Sequence, residues 1–204
     1  MEQYYSIVNL SKKVRLRSKD GEKLMEFSFK GNRTVSTLAN MLEGDWYGDV
    51  VIVIGEYAYG EDNYRSRIDE IGKKLKIKRR RDNREVLSYD FCDDSLFWYS
   101  KIDAKDFPEK NLYFLNVDKK LYVDRSKLPV SDFYFLDDGT ELFYRVEPIT
   151  LLLALGNGLG AGDFKESGDG YEYVGAWAGD SCGCSKTIPQ GFIEFKPNFK
   201  ENHV

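Results

Sequence analysis

The sequence predicts an α+β, strand-rich fold built from two diverged tandem copies of a β-hairpin, strand, helix, strand module. Three observations lead there. First, segments return in order: Val8-Asn9-Leu10-Ser11-Lys12-Lys13-Val14 as Leu115-Asn116-Val117-Asp118-Lys119-Lys120-Leu121, and Asp20-Gly21-Glu22-Lys23-Leu24-Met25 as Asp138-Gly139-Thr140-Glu141-Leu142-Phe143. Trp46-Tyr47-Gly48-Asp49 likewise returns as Trp177-Ala178-Gly179-Asp180. Second, 14 Tyr and 13 Phe suit pleated, half-buried surfaces. Third, short apolar runs with helical spacing stand between the strand patterns.

Tyr4 to Leu10 and Val14 to Leu16 read as strands joined by a Ser-Lys-Lys turn; Leu112 to Val117 and Leu121 to Val123 read the same way around Asp118-Lys119-Lys120. Asp118 at the first turn position can bond the backbone and start the turn. After each hairpin an Asp-Gly turn opens an alternating strand, with Met25, Phe27 and Phe29 in one half and Leu142 and Tyr144 in the other. A helix follows in each half. Thr34 serves as N-cap, Val35, Leu38, Met41 and Leu42 share a face, and Gly44 ends it. Pro148 fits a first helical turn before Leu151, Leu152, Leu155 and Gly156, although strand is an alternative there. Val50-Val51-Ile52-Val53-Ile54 reads as a buried strand. No apolar strand follows Asp180, and Gly191 to Phe195 is the candidate for the missing one. Tyr64, Ile68, Ile71 and Leu75 show helical spacing, with Asp62 or Asn63 as cap and Gly72 weakening or ending the helix.

The expected division is 1–104, a first module with a basic linker, and 105–204, a second module with a Gly-rich insertion, either apposed or merged into one body. Lys105 to Asn111, with Pro108, is the boundary. Hydrophobic residues at 42% are enough for a folded core. No apolar stretch reaches the ~20 residues of a membrane span. The N-terminus has no basic segment followed by an apolar run, and three Cys make no disulfide framework. The expectation is therefore a cytoplasmic protein without membrane association. The lone His203 sits near the end of the sequence, which disfavours Ser-His or Cys-His catalysis and His-rich metal sites.

Four constellations bear on function. In Trp-x-Gly-Asp, Trp46, Asp49, Trp177 and Asp180 can line a cleft in which the carboxylates act as acid, base or ligand. Alternatively Trp fills the core, Gly supplies an unusual backbone angle and Asp bonds a turn amide. The run Gly156-Asn157-Gly158-Leu159-Gly160-Ala161-Gly162-Asp163 is a binding loop or a surface insertion; it lacks the helix start a dinucleotide site needs and the Gly-Lys-Ser/Thr of a phosphate loop. Gly158, Gly160 and Asp163 are its candidate binding residues. The stretch Lys73 to Arg84 holds eight Lys and Arg and one Asp, a formal +7 within a chain of −4. Lys78, Arg79, Arg80 and Arg81 can contact phosphates, or the run is a charged strand edge. Cys182-Gly183-Cys184, with Cys92 elsewhere, lacks partners for a closed zinc site and reads as buried free thiols. Asn9, Lys12 and Lys13 recur as Asn116, Lys119 and Lys120, either as turn chemistry or as a shared binding element.

These motifs resemble a group of microbial proteins in which a Tyr-rich hairpin with Val-Asn-x-x-Lys-Lys precedes a Gly-rich segment ending in Gly-Asp and then Trp-Ala-Gly-Asp. Tyr5, Val8, Asn9, Lys12 and Lys13 match its start; Gly156-Asn157-Gly158, Gly162-Asp163 and Val174 to Asp180 match its later part. The resemblance covers about a fifth of the chain by these blocks and implies no activity, so no catalytic residue follows from it. The functional expectation is a non-enzymatic interaction protein of immunity, inhibitor or regulator type, with a protein partner and neither cofactor nor metal. A carboxylate- or metal-assisted hydrolase using Asp49, Asp180 or Asp163 is the alternative, and phosphate or nucleic-acid binding through 73–84 is a second.

Overall fold

A chain whose side chains alternate with period two presents a different set on each face of a sheet, and Tyr5, Ile7 and Asn9 alternate with Ser6, Val8 and Leu10 in this way. In the computed structural model, which describes residues 3–17, 22–55, 58, 69–76, 100–108, 110–128, 130–135, 141–156 and 171–199, this stretch is strand β1 (Tyr5–Asn9). It pairs antiparallel with β2 (Val14–Arg17), through Ile7↔Leu16 and Asn9↔Val14. The expected strand through Met25, Phe27 and Phe29 is instead a 3-10 helix, Leu24–Ser28. Leu24 and Phe27, three apart, turn inward together, and the Glu26 carboxylate accepts the Lys23 amide at 2.8 Å, which closes the tight turn locally.

Helix α1 (Arg33–Glu43) is capped two residues before the expected Thr34: Asn32 Oδ1 accepts the Val35 amide at 2.9 Å, while Thr34 is buried within the first turn. Its inner face carries Val35, Leu38, Ala39 and Leu42, and Gly44 is its C-cap. Strand β3 (Asp49–Gly55) follows, and residues 69–74 are helical, Gly72 included. The expected cap at 62 or 63, with Tyr64 and Ile68, lies outside the described residues.

Beyond β4 (Ser100–Asp103) comes the second hairpin, β5 (Tyr113–Asn116) and β6 (Leu121–Asp124), paired through Phe114↔Val123 and Asn116↔Leu121. A separate hairpin, β7 (Val130–Phe135) and β8 (Glu141–Arg145), covers the expected strand at Leu142 and Tyr144. Helix α2 (Pro148–Leu152) has Pro at its start and is capped by Glu147, whose carboxylate accepts the Ile149 amide. It is shorter than expected, because Ala154 and Leu155 leave it to form β9 (Ala154–Leu155) alongside β3. The strand thought missing after Asp180 is present as β10 (Ser181–Ser185); β11 (Ile193–Glu194) is an additional edge strand.

One mixed sheet gathers nine of these strands in the order β11-β6-β5-β10-β3-β1-β2-β4, with β9 also on β3. From the β3–β10 junction outward, one side runs β3, β1, β2, β4 and the other β10, β5, β6, β11. Both outermost strands are parallel to the hairpin strand beside them, at Leu16↔Ile102 and Leu121↔Ile193. Each face of the sheet carries a core cluster. Val51 and Val53 join α1, α2, Trp46, Trp177, Phe114 and Cys182 on one side; Val50, Ile52 and Ile54 join Val8, Ile71, Leu155 and Ala178 on the other. This two-sided burial is why β3 is a continuous apolar run.

The end of α1 is anchored by charge. Glu43 accepts from Lys110 at 2.5 Å and lies 3.5 Å from Lys186, just past β10. The hydrogen bond from Lys110 holds its carboxyl below the ordinary glutamate value, against a smaller opposing effect of burial. A folded-state value below the unfolded one contributes stability at pH above the unfolded value and loses it as pH falls through the folded value. Glu43→Gln is therefore expected to lower stability near neutral pH and to flatten the acid limb of the profile of unfolding free energy against pH. An acid limb parallel to that of the parent would contradict this.

Candidate functional site

The two Trp-x-Gly-Asp segments end in carboxylates, Asp49 as the first residue of β3 and Asp180 just before β10, and each carboxylate is bound by the hairpin beside it. An amide side chain carries an acceptor oxygen and a donor NH2 on one rigid plane, and a buried one must use both. Asn9, fully buried at the end of β1, accepts the Lys12 amide on Oδ1 at 2.9 Å and donates Nδ2 to Asp49 Oδ2 at 2.8 Å. Lys12 Nζ reaches the same Oδ2 at 2.5 Å. Asn116, also fully buried, accepts the Lys119 amide at 2.9 Å and donates to Asp180 Oδ2 at 2.8 Å, with Lys119 Nζ 2.6 Å from that oxygen.

The neighbouring residue of each turn completes the clamp. Ser11 Oγ accepts the Val50 amide at 2.9 Å, and Asp118 Oδ2 accepts the Ser181 amide at 3.0 Å. Leu10 and Val117 then donate backbone amides to Val50 and Ser181 carbonyls. Asp118 thus bonds the adjacent strand, while Asn116 holds the turn amide. In the same way, Asp49 and Asp180 bond an asparagine and a lysine through their side chains, where a turn amide was the expected alternative.

Before each carboxylate the chain makes one tight turn. The Asp49 amide donates to Trp46 O and the Asp180 amide to Trp177 O, both at 3.0 Å; Tyr47 and Ala178 donate to Gly44 O and Gly175 O, also at 3.0 Å. Gly48 at φ 82° and Gly179 at φ 88° sit in the left-handed region that favours glycine. Lys13 and Lys120 occupy that region in the hairpin turns, at φ 57° and 52°. Both tryptophans are buried, and Trp177 packs between Phe114 and Phe195, with ring centroids 5.0 and 5.5 Å away.

This arrangement limits the available chemistry. Each carboxylate is neutralised by its own lysine and occupied by its own asparagine, on adjacent strands paired at Ser181↔Val50 and Cys182↔Asp49. Cys182 and Cys184 are free and buried. Burial pushes the Cys182 thiol well up, reinforced by the charge of Asp180, and burial raises Cys184 to about 12. Both shifts oppose formation of the thiolate, the form that attacks or ligates. Among the described residues, no group of three or more His, Cys, Asp or Glu is placed to hold a metal ion. Gly158, Gly160 and Asp163, the basic residues Lys78, Arg79, Arg80 and Arg81, and Cys92 lie outside the described residues. Of the basic run's start, Lys74 donates to Gly179 O at 2.9 Å and lies 3.8 Å from Asp118, so it joins the second clamp.

Two features were not anticipated from the sequence. Arg125, half-buried, and the buried Glu147, 22 residues apart, form an ion pair at 2.6 Å. Beside it, Ser36, Asn40, Lys110, Leu112 and Arg125 line a cavity of about 20 Å³, room for one water. Pro148 in a first helical turn marks the residue before it as the cap position, but nothing in the sequence pairs Glu147 with Arg125. No helix among the described residues is long and apolar enough to cross a membrane. The chain matches no protein-family model, no curated protein and no solved structure.

The two glycines of the turns make a paired prediction. A Cβ at Gly48 meets nothing within 4 Å, whereas at Gly179 it would lie 2.6 Å from Ile71 Cγ1. Gly48→Ala is expected to cost about 1 kcal/mol for backbone strain alone, and Gly179→Ala about 1–3 kcal/mol more for overpacking. Equal losses in denaturant titrations would contradict the Ile71 contact.

Proposed function

We propose that the chain is a non-enzymatic binding protein for a protein partner, carried on a frame of two diverged copies of one duplicated unit. The observation that carries the binding reading is the internal saturation of the candidate reactive groups among the described residues: Asp49 and Asp180 are engaged by Asn9 with Lys12 and by Asn116 with Lys119, and both described thiols are buried. Residues in these positions hold the frame and leave contact to other surfaces. Ile188 and Ile193 stand 42% and 69% exposed on the connection from β10 to β11 and on the edge strand itself, and they are the apolar side chains such a contact would use.

The duplicated frame is supported by bonds that recur atom for atom. Asn9 pairs with Val51 on β3, and Asn116 with Cys182 on β10, each beside the carboxylate two residues earlier in the chain. Shared ancestry explains why the strand order reads alike outward from the β3–β10 junction on either side.

The binding reading is tested by capture from native extract with wild type, with Ile188→Asp/Ile193→Asp and with Asp180→Asn. Wild type and Asp180→Asn are expected to retain one stoichiometric protein partner, and the double variant to lose it with an unchanged unfolding midpoint. Turnover of an ester or phosphoester by the purified chain, abolished by Asp49→Asn or Asp180→Asn, would overturn it. The duplication predicts matched losses for Asn9→Ala and Asn116→Ala, each roughly 1–3 kcal/mol for stranding a carboxylate and a turn amide, additive in the double variant. A large loss at one site and none at the other would count against two equivalent units.

A further inference from the structure

The Trp46–Asp49 turn lays Tyr47 across the backbone of β10. A Cβ built on Gly183 would lie 2.6 Å from Tyr47 Cδ2 and 2.7 Å from Cε2, distances a real side chain does not adopt. Gly183 is buried although Tyr47 remains 44% exposed, so the ring occupies the place a side chain would fill. Gly183 stands opposite Leu115 of β5. The position on β3 with the same relation to its hairpin is Ile52, opposite Val8 of β1, and it is fully buried. The turn residue that matches Tyr47 there is Ala178, which shares the second core cluster with Ile52. A large turn residue thus goes with a bare strand position on one side of the junction, and a small turn residue with a large strand side chain on the other.

We infer that Tyr47 and Gly183 form a size-matched key that sets which strand the Trp46–Asp49 turn docks on: the strand of the second unit, and not a strand like β3. This rests on the duplicated frame proposed above. The surface fits one partner, the second unit of the same chain. The first unit of a second copy would bring Ile52 against Tyr47, where the branched side chain and the ring claim one volume. Glycine in the middle of a central strand is otherwise unfavourable, and close approach of another group is the physical reason to keep it.

The test is a double-variant cycle in the full chain, followed by thermal unfolding. Gly183→Ile is expected to lower the midpoint by roughly 5 °C or more, as overpacking does in a chain of this size. Adding Tyr47→Ala, which recreates the Ala178–Ile52 combination, is expected to return at least half of that loss. If Gly183→Ile does not fold, Gly183→Ala with and without Tyr47→Ala reads the same coupling, since the clash begins at Cβ. Losses that simply add, or a double variant worse than the sum, overturn the key. The reciprocal pair separates the key from the frame it rests on. Ala178→Tyr is expected to cost less in an Ile52→Gly background than alone. Coupling at Tyr47–Gly183 without coupling at Ala178–Ile52 supports the key and overturns the equivalence of the two units.

Discussion

A buried asparagine that satisfies a turn amide with its oxygen and a carboxylate with its nitrogen is the constraint on which this structure depends. At Asn9 it fixes the hairpin turn and the start of β3 in one bond pattern, and at Asn116 it does the same for the second hairpin and β10. Buried polar groups left unpaired are costly, so the hairpin, the turn after tryptophan and the central strand form together or not at all. The lysines above each carboxylate add charge from the solvent side, where such attraction is screened; the buried amide supplies the geometry.

From those two clamps the packing follows. They bring the N-terminal ends of β3 and β10 together, and the short pairing between them joins what would otherwise be two small sheets. Trp46 and Trp177, held just before the clamps, are thereby set into the core beneath α1 and α2. Removing a buried aromatic of this size costs about 3–5 kcal/mol in typical cores, so each clamp also controls a large share of the packing. The opposite face needs less: β3 and β1 present Val8, Val50, Ile52 and Ile54 to Ile71 and Ala178, whereas β10 presents Ser181, Gly183 and Ser185 there.

Much of this was legible because it rests on local patterns. The two hairpins, the buried run from Val50 to Ile54, Pro148 at a helix start and Gly44 at a helix end all follow from residue spacing or backbone preference. What escaped depended on distant partners. Ser181 to Ser185 has no apolar pattern because Tyr47 and the core supply its cover from elsewhere, so it did not read as a strand. Met25, Phe27 and Phe29 alternate like a strand, yet a bond from Lys23 to Glu26 and the three-residue step from Leu24 to Phe27 turn them into a 3-10 helix. The recurrence of Asn9 and Lys12 as Asn116 and Lys119 was visible, but its meaning was not, because the carboxylate each pair holds is 40 or 64 residues away.

The repeated polar residues therefore hold the frame, and under the proposed binding role contact falls to surfaces that differ between its two sides. Hydrogen exchange followed by NMR tests that assignment most directly, at the amides of Lys12, Lys119, Val50 and Ser181. Amides in exposed hairpin turns ordinarily exchange through small local openings, whereas amides locked into a cooperative core exchange only on global unfolding. If the clamps hold the frame, all four exchange with the free energy of global unfolding, like Val53 in the middle of β3. Exchange of the Lys12 and Lys119 amides at the rates of open turns, with β3 still protected, would contradict it.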